Sequence, residues 1–115
     1  DPSTKPRWNI IRDLVNDSFN VELEFGGEIE IDDRKLITNA TMKTKTTMES
    51  PELTVMETTY DVILEDKIIK TNVKTRGELR SDLKNFYATV GVDIDINDRP
   101  YFNKKWFKTV PRKYL

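Results

Sequence analysis

The sequence predicts an α+β domain: an N-terminal helix, a curved antiparallel β-meander of about four strands, one amphipathic helix packed on it, a short final strand and a basic-aromatic C-terminal tail. Three observations support this fold class. Residues 21–65 alternate apolar and polar side chains, residues 76–90 repeat apolar side chains every three or four positions, and residues 99–115 concentrate bases and aromatic rings. A chain of 115 residues can bury one core, so we expect a single domain over residues 1–98.

The first predicted element is a short helix over about residues 5–18. Trp8, Ile11 and then Leu14 or Val15 recur at helical spacing, which would place them on one buried face. Thr4 precedes this run at the position of an N-cap, where its hydroxyl would accept a backbone hydrogen bond.

The stretch VELEFGGEIEI predicts one long strand over about residues 21–31. A hairpin turning on Gly26-Gly27 would put apolar residues opposite acids, or acids opposite acids. A continuous strand that returns along residues 36–48 instead pairs apolar residues with each other and sets Glu24 opposite Lys43. The two glycines then mark a sharp bend or a close approach of another backbone.

The glutamates at even positions of this strand form a candidate acidic face. We expect most of them to be solvated and paired with lysines, but Glu28 and Glu30 have no lysine opposite and are the candidates for contact with a cation or a basic partner. Alternate residues of a strand lie about 6.6 Å apart, which is too far for their carboxylates to converge closely on one ion. We therefore predict no metal site.

Two further strands, over about residues 53–65 and 68–74, complete the predicted meander. A turn signal precedes each of them, first Ser50-Pro51 and then Asp66-Lys67. Apolar side chains alternate with polar ones in both, as expected for an antiparallel sheet with one face on the core, but the parity shifts between Val55 and Tyr60, which a bulge near residues 57–59 would explain.

The spacing of apolar residues changes from every second position to every third or fourth, which predicts an amphipathic helix over about residues 76–90. Thr75 and Glu78 match a capping box, and Gly91 stands where a helix commonly ends. Apolar residues recur along one face of this helix: Leu79, Leu83, Phe86, Tyr87 and Val90. Alternation then returns in a short strand over about residues 92–96.

The composition excludes several kinds of chemistry. The chain has no histidine and no cysteine, which removes disulfides, thiolate ligands, thiol nucleophiles and the usual general base near neutral pH. The stretch DIDINDRPYFNK begins like a calcium loop, but Asp98 replaces the glycine at its sixth position and Lys104 the glutamate at its twelfth. We predict a protein that is not an enzyme and holds no cofactor.

Residues 99–115 form the predicted tail and carry the charge asymmetry of the chain. They hold six bases and no acid, whereas residues 1–98 hold the other 13 bases and all 20 acids, a net charge of −7. The tail also contains five of the eleven aromatic residues. Its candidate partner-binding residues are Arg99, Tyr101, Phe102, Lys104, Lys105, Trp106, Phe107, Lys108, Arg112, Lys113 and Tyr114.

This composition supports several functions for the tail, which we expect to dock on its own domain or on a partner. The favoured prediction is a non-catalytic module that binds another protein or further copies of itself, because tryptophan, tyrosine and arginine are common anchors of protein interfaces. Rings interleaved with bases also fit single-stranded nucleic acid or an anionic membrane surface, although the acidic body makes both less favoured. A further alternative is a small ligand in the concavity of the sheet, beside Phe25, Met42 and Tyr60. The sequence assigns no compartment.

Overall fold

A computed structural model describes residues 4–50 and 52–112, and these form one antiparallel sheet of seven strands. The strands follow one another in space as they do in sequence, from β1 at one edge to β7 at the other. Their bounds are Thr4–Asp13 (β1), Ser18–Ile31 (β2), Arg34–Thr47 (β3), Thr54–Glu65 (β4), Lys70–Ser81 (β5), Asn85–Ile96 (β6) and Arg99–Pro111 (β7).

The predicted α+β class is wrong, because the described part of the chain is all-β. The predicted antiparallel meander is present, but it continues through both segments that the sequence predicts to be helical. Within residues 4–50 and 52–112, no helix is long and apolar enough to cross a membrane.

The predicted helix over residues 76–90 is instead the end of β5, a short turn and the first half of β6. Apolar side chains point to one face at odd positions in β5, such as Leu79, and at even positions in β6, such as Phe86 and Val90. The apolar residues change from odd to even positions at the turn, so Leu79, Phe86 and Val90 stand seven and four positions apart. Residues on one face of a helix have the same spacing. Gly91, predicted to end the helix, lies inside β6 without a positive φ.

The predicted N-terminal helix over residues 5–18 is also wrong. The segment Thr4–Asp13 forms β1, which pairs only with β2 and lies at the edge of the sheet. Pro6 is compatible with this position because an edge strand tolerates a residue without a backbone N–H, and the register shifts there. Trp8 and Ile10 then project from one face of the sheet, as alternate residues of a strand do.

Three aspartates organise the turns β1–β2, β4–β5 and β5–β6 in the same way: Asp13, Asp66 and Asp82. Oδ1 of each accepts hydrogen bonds from the backbone N–H groups two and three residues further on, at 2.7–3.2 Å. These bonds favour the charged carboxylate and lower the pKa of all three side chains, chiefly through the residue three positions on. Asp13 and Asp82 stand inside the segments predicted as helices, where they are signals for a turn.

A two-residue turn at Asp32-Asp33 sets the register of β2 and β3. Asp32 has a φ of 56°, a left-handed conformation that aspartate tolerates better than most residues. Lys43 therefore lies opposite Glu22, and the predicted pairing of Lys43 with Glu24 is wrong by two residues. A shift of two residues leaves every side chain on its predicted face, because the side-chain period of a strand is two.

The sheet has no covering layer within the described residues. Among their side chains, Ala40 is the only buried apolar one, with 8% of its surface exposed, and Ser18 the only buried polar one, with 1% exposed. The Cα radius of gyration is 17.8 Å, whereas a compact domain of this length has a radius of about 13 Å. The described chain is therefore a single open layer.

Gly26 lies where the backbones of β2 and β3 approach closely. A Cβ atom at this position would collide with the carbonyl oxygen of Thr38 and would lie 3.1 Å from the Cα atom of Asn39. Both obstacles are backbone atoms, so neither can move without displacing β3. A Cβ atom at Gly91 would make an ordinary contact of 3.7 Å with the flexible side chain of Lys105.

We predict that Gly26→Ala lowers the free energy of unfolding by about 1–3 kcal/mol, because the new methyl group must displace the backbone of β3. Gly91→Ala is the matched control and should leave the stability unchanged or slightly higher. Urea denaturation of both variants measures the difference. Equal stability of the two variants would contradict the close approach of β2 and β3 at Gly26.

The lowered pKa of Asp82 predicts how its turn depends on pH. A carboxylate whose pKa is lowered in the folded state stabilises the fold above its ordinary value of 3.8, and this contribution is lost as the pH falls through the lowered pKa. Asp82→Ala should therefore lower the melting temperature at pH 7 and flatten its fall in acid. Asp82→Asn keeps the Oδ1 acceptor and should lose less stability at pH 7 than alanine does.

Thermal melting from pH 7 to pH 2, followed by circular dichroism, measures both effects of the Asp82 variants. If Asp82→Ala melts with the wild-type pH profile, the hydrogen bonds of Asp82 do not stabilise the turn.

Candidate interaction surface

Alternation along each strand sorts the side chains onto two faces of different chemistry. One of them, the apolar face, is the side of the sheet that carries Trp8, Leu23, Met42, Tyr60, Val73, Val90 and Trp106, with at least one of them on every strand. The opposite side, the polar face, carries Glu22, Lys43, Glu57, Arg76, Asp93 and Lys105.

One row of cross-strand neighbours runs over the apolar face from edge to edge. In order from β1 to β7, its members are Trp8, Leu23, Met42, Thr58, Gly77, Val90 and Trp106. The two tryptophans of the chain thus stand at opposite ends of one row, with 72% and 44% of their surfaces exposed. Gly77 contributes no side chain to this row, and a Cβ atom at its position would lie 2.7 Å from Oγ1 of Thr58.

The apolar face carries no carboxylate at any paired strand position. Its charged residues are all bases, and they lie on the two edge strands or at the start of β3: Arg12, Arg34, Arg99, Lys104 and Lys108. The middle strands β4, β5 and β6 have no charged residue on this face. The surface is therefore apolar at its centre and basic at its rim.

The predicted tail does not stay together as one patch, because most of it forms strand β7. Phe102, Lys104, Trp106 and Lys108 project from the apolar face, and Nζ of Lys104 lies 5.2 Å from the centroid of the Trp106 ring. Lys105 and Phe107 project from the polar face.

The remaining candidate residues of the tail lie at the ends of β7 or beyond it. Arg99 begins the strand opposite Ile96, and Tyr101 falls at a shift in register between β6 and β7. The guanidinium of Arg112 lies 4.9 Å from the centroid of the Phe86 ring and donates a hydrogen bond to the carbonyl oxygen of Asp82. Lys113 and Tyr114 lie outside the described residues.

The two candidates of the acidic face, Glu28 and Glu30, lie on the polar face beside the same lysine. Lys35 lies directly opposite Glu30 and forms an ion pair of 3.3 Å with Glu28. One lysine thus stands close to both carboxylates, which the predicted register did not provide.

A shallow depression of about 440 Å³ lies on the polar face, over strands β3 to β7. Its lining includes three bases and three acids: Lys43, Arg76, Lys105, Glu57, Glu78 and Asp93. The residues expected around a small ligand, Phe25, Met42 and Tyr60, lie on the opposite face of the sheet. No group of three or more carboxylates in the described residues is arranged to hold a metal ion.

Comparisons with protein-family models, with curated proteins and with solved structures found no match.

Sequence reasoning located the tail residues as a group but missed the surface that contains two of its rings. The signal was present in β6, where Phe86, Ala88, Val90, Val92 and Ile94 alternate with polar residues over a full strand. Interpreting part of this run as one face of a helix concealed that it continues the apolar alternation of β2.

Proposed function

We propose that this chain is a non-catalytic protein-interaction or self-assembly module, which uses its basic-aromatic C-terminal segment and the rest of the apolar face to dock on a second protein layer. The observation that carries the proposal is the open apolar face. A soluble monomer rarely exposes an apolar patch larger than a few hundred Å², and larger patches commonly mark sites of interaction.

The apolar face is large enough to form a stable interface with a partner. Seven strands about 4.8 Å apart and about 40 Å long present a face on the order of 1,300 Å². A standard protein interface buries about 800 Å² on each partner, and obligate interfaces are larger and resemble a domain core cut in half. An extended layer of aliphatic residues also fits an apolar protein surface better than the stacked bases of a nucleic acid.

We propose a second copy of the same chain as the partner. Two apolar faces packed face to face form a β-sandwich, in which the sheets lie about 10 Å apart with strands about 30° from alignment. Such a contact is isologous, so one self-complementary surface closes the assembly as a dimer. The uncharged centre formed by β4, β5 and β6 favours this arrangement, because no charge has to be removed from water there.

The basic rim is compatible with the proposed dimer. Lys104 and Lys108 lie on the edge strand β7, and Arg12 lies on the edge strand β1. Long basic side chains at a rim can lay their methylene groups on an apolar surface while the charged ends remain in water. Phe102 and Trp106 contribute rings from the C-terminal segment to the same surface.

The absence of histidine and cysteine from the chain supports a non-catalytic function, since it removes the commonest general base and the commonest activated nucleophile.

We predict that Val90→Lys weakens dimerisation about tenfold or more, because it places a charge without a partner in the centre of the buried face. Val90 is 39% exposed in the single layer, so the lysine is accommodated when no second copy is present. The neighbouring change Thr89→Lys is the matched control, since it adds the same charge to the same strand on the polar face, opposite Glu78. Sedimentation equilibrium over a range of protein concentrations measures both dissociation constants.

The wild-type chain and Thr89→Lys should approach twice the chain mass of 13.5 kDa, whereas Val90→Lys should remain at the chain mass. A wild-type chain that stays at 13.5 kDa at every concentration, or equal weakening by the two lysines, would contradict the proposed dimer.

A further inference from the structure

The open edge of β7 is a second surface, distinct from the apolar face. Strand β7 pairs only with β6, so the backbone groups on its other side are unpaired within the described residues. Every residue of the strand is exposed. An edge of this kind can accept one more strand, which gains backbone hydrogen bonds as well as side-chain contacts.

The hydrogen bonds of the sheet identify the groups that face outward. The backbone N–H of Arg112 donates to the carbonyl oxygen of Lys84, on the β6 side, at 2.8 Å. Successive residues of a strand point their backbone groups alternately to the two sides. Asn103, Lys105, Phe107 and Thr109 therefore present their N–H and C=O groups to the open side, and this set of four residues is called the free edge below.

The charges of β7 differ from those of β1, the strand at the opposite edge. Arg7 and Arg12 of β1 each form an ion pair, with Glu24 at 3.6 Å and with Asp17 at 2.8 Å. The bases of β7 form no ion pair with any described carboxylate, and the strand contains no acid of its own: Arg99, Lys104, Lys105 and Lys108. Lys105 is therefore the base of the polar face that is available to a partner, whereas Arg99, Lys104 and Lys108 project from the apolar face.

We infer that the free edge of β7 binds an extended acidic segment of another protein as an eighth antiparallel strand. Acidic side chains of this segment would lie beside Lys105 on the polar face, and alternating apolar side chains would extend the apolar face beyond Phe102 and Trp106. A second copy of β7 is a poor occupant, because antiparallel pairing of the two strands would bring lysines together.

The inference goes beyond the proposed dimer and does not depend on it. Face-to-face packing covers the apolar face and leaves the edges of both sheets open, so each surface can be tested while the other is intact.

A labelled, capped peptide of about ten alternating glutamate and valine residues, within the usual length of a strand, is the probe. Its binding to the full chain is measured by fluorescence anisotropy, beside a peptide in which lysine replaces every glutamate. The glutamate peptide should bind and the lysine peptide should not. Equal binding of the two peptides would overturn the inference.

Two variants at Phe107 test whether the backbone of the free edge takes part. Phe107→Pro removes an outward N–H and leaves the hydrogen bonds to β6 in place, so it should weaken binding of the glutamate peptide about tenfold or more. Phe107→Val removes the ring and keeps the N–H, so its binding should stay near the wild-type value. If the two variants bind the peptide equally, the partner does not add as a strand.

If Phe107→Pro disturbs the fold, hydrogen exchange tests the same edge in the wild-type chain, without a substitution. In the wild-type chain the amide protons of Lys105, Phe107 and Thr109 should exchange more slowly when the glutamate peptide is bound. Unchanged exchange at saturating peptide would overturn the inference.

The charge of the free edge is tested by Lys105→Glu, with Lys45→Glu on the polar face of β3 as the control of equal charge change. Lys105→Glu should weaken binding roughly three- to fivefold, the effect of a single exposed charge pair, and Lys45→Glu should have little effect. Equal effects of the two changes would mean that only the net charge matters, which contradicts a site at β7.

Discussion

The constraint on which the structure depends is that one sheet with a continuous apolar face cannot bury that face by itself. A sheet becomes a stable domain when its apolar side packs on a helix layer, on a second sheet or on itself as a barrel. The described chain does none of these. Its radius of gyration of 17.8 Å and the exposure of its rings both follow from the missing layer. In the proposed dimer a second copy of the chain supplies that layer, because the face is large and its centre on β4, β5 and β6 carries no charge.

The polar face suits the outer surface of the proposed dimer. Acids and bases face each other on β2, β3 and β4 of the polar face, where Glu22 lies opposite Lys43 and Lys43 lies opposite Glu57, whereas Glu57 lies opposite another acid, Glu78. Cross-strand pairs of opposite charge each contribute about 0.2–1 kcal/mol. Lysines on β7 discourage pairing of two β7 edges, which would otherwise join two sheets into one. The same lysines leave the edge open to a segment of opposite charge.

The long strands of the first half were predictable from the sequence because the alternation of apolar and polar residues was sufficient to identify them. Residues 21–31 alternate without interruption in parity, so even a register that was wrong by two residues placed every side chain on the correct face. Residues 76–90 were predicted wrongly because two signals of similar strength competed. Leu79, Phe86 and Val90 fit a helical repeat and also fit two strands joined by a turn of odd length. The deciding signal was Asp82, whose carboxylate binds the backbone of the turn.

The basic-aromatic character of residues 99–115 was readable from composition, whereas the division of β7 between two faces required the register. A composition cannot show whether Trp106 and Phe107 share a surface, because neighbours in a helix or coil can do so and neighbours in a strand cannot. The open apolar face could not be predicted from composition either, because it is formed only when all seven strands are aligned. Local patterns predicted the strands best where no turn interrupted them.

Small-angle X-ray scattering with calibrated mass tests the face-to-face assembly most directly. Two sheets about 10 Å apart double the mass but raise the radius of gyration of the particle by only about 1 Å over that of the single layer. The proposed dimer predicts this combination of doubled mass and nearly unchanged radius. A particle with the mass of one chain, or one with doubled mass and a much larger radius as sheets joined edge to edge would give, would contradict it.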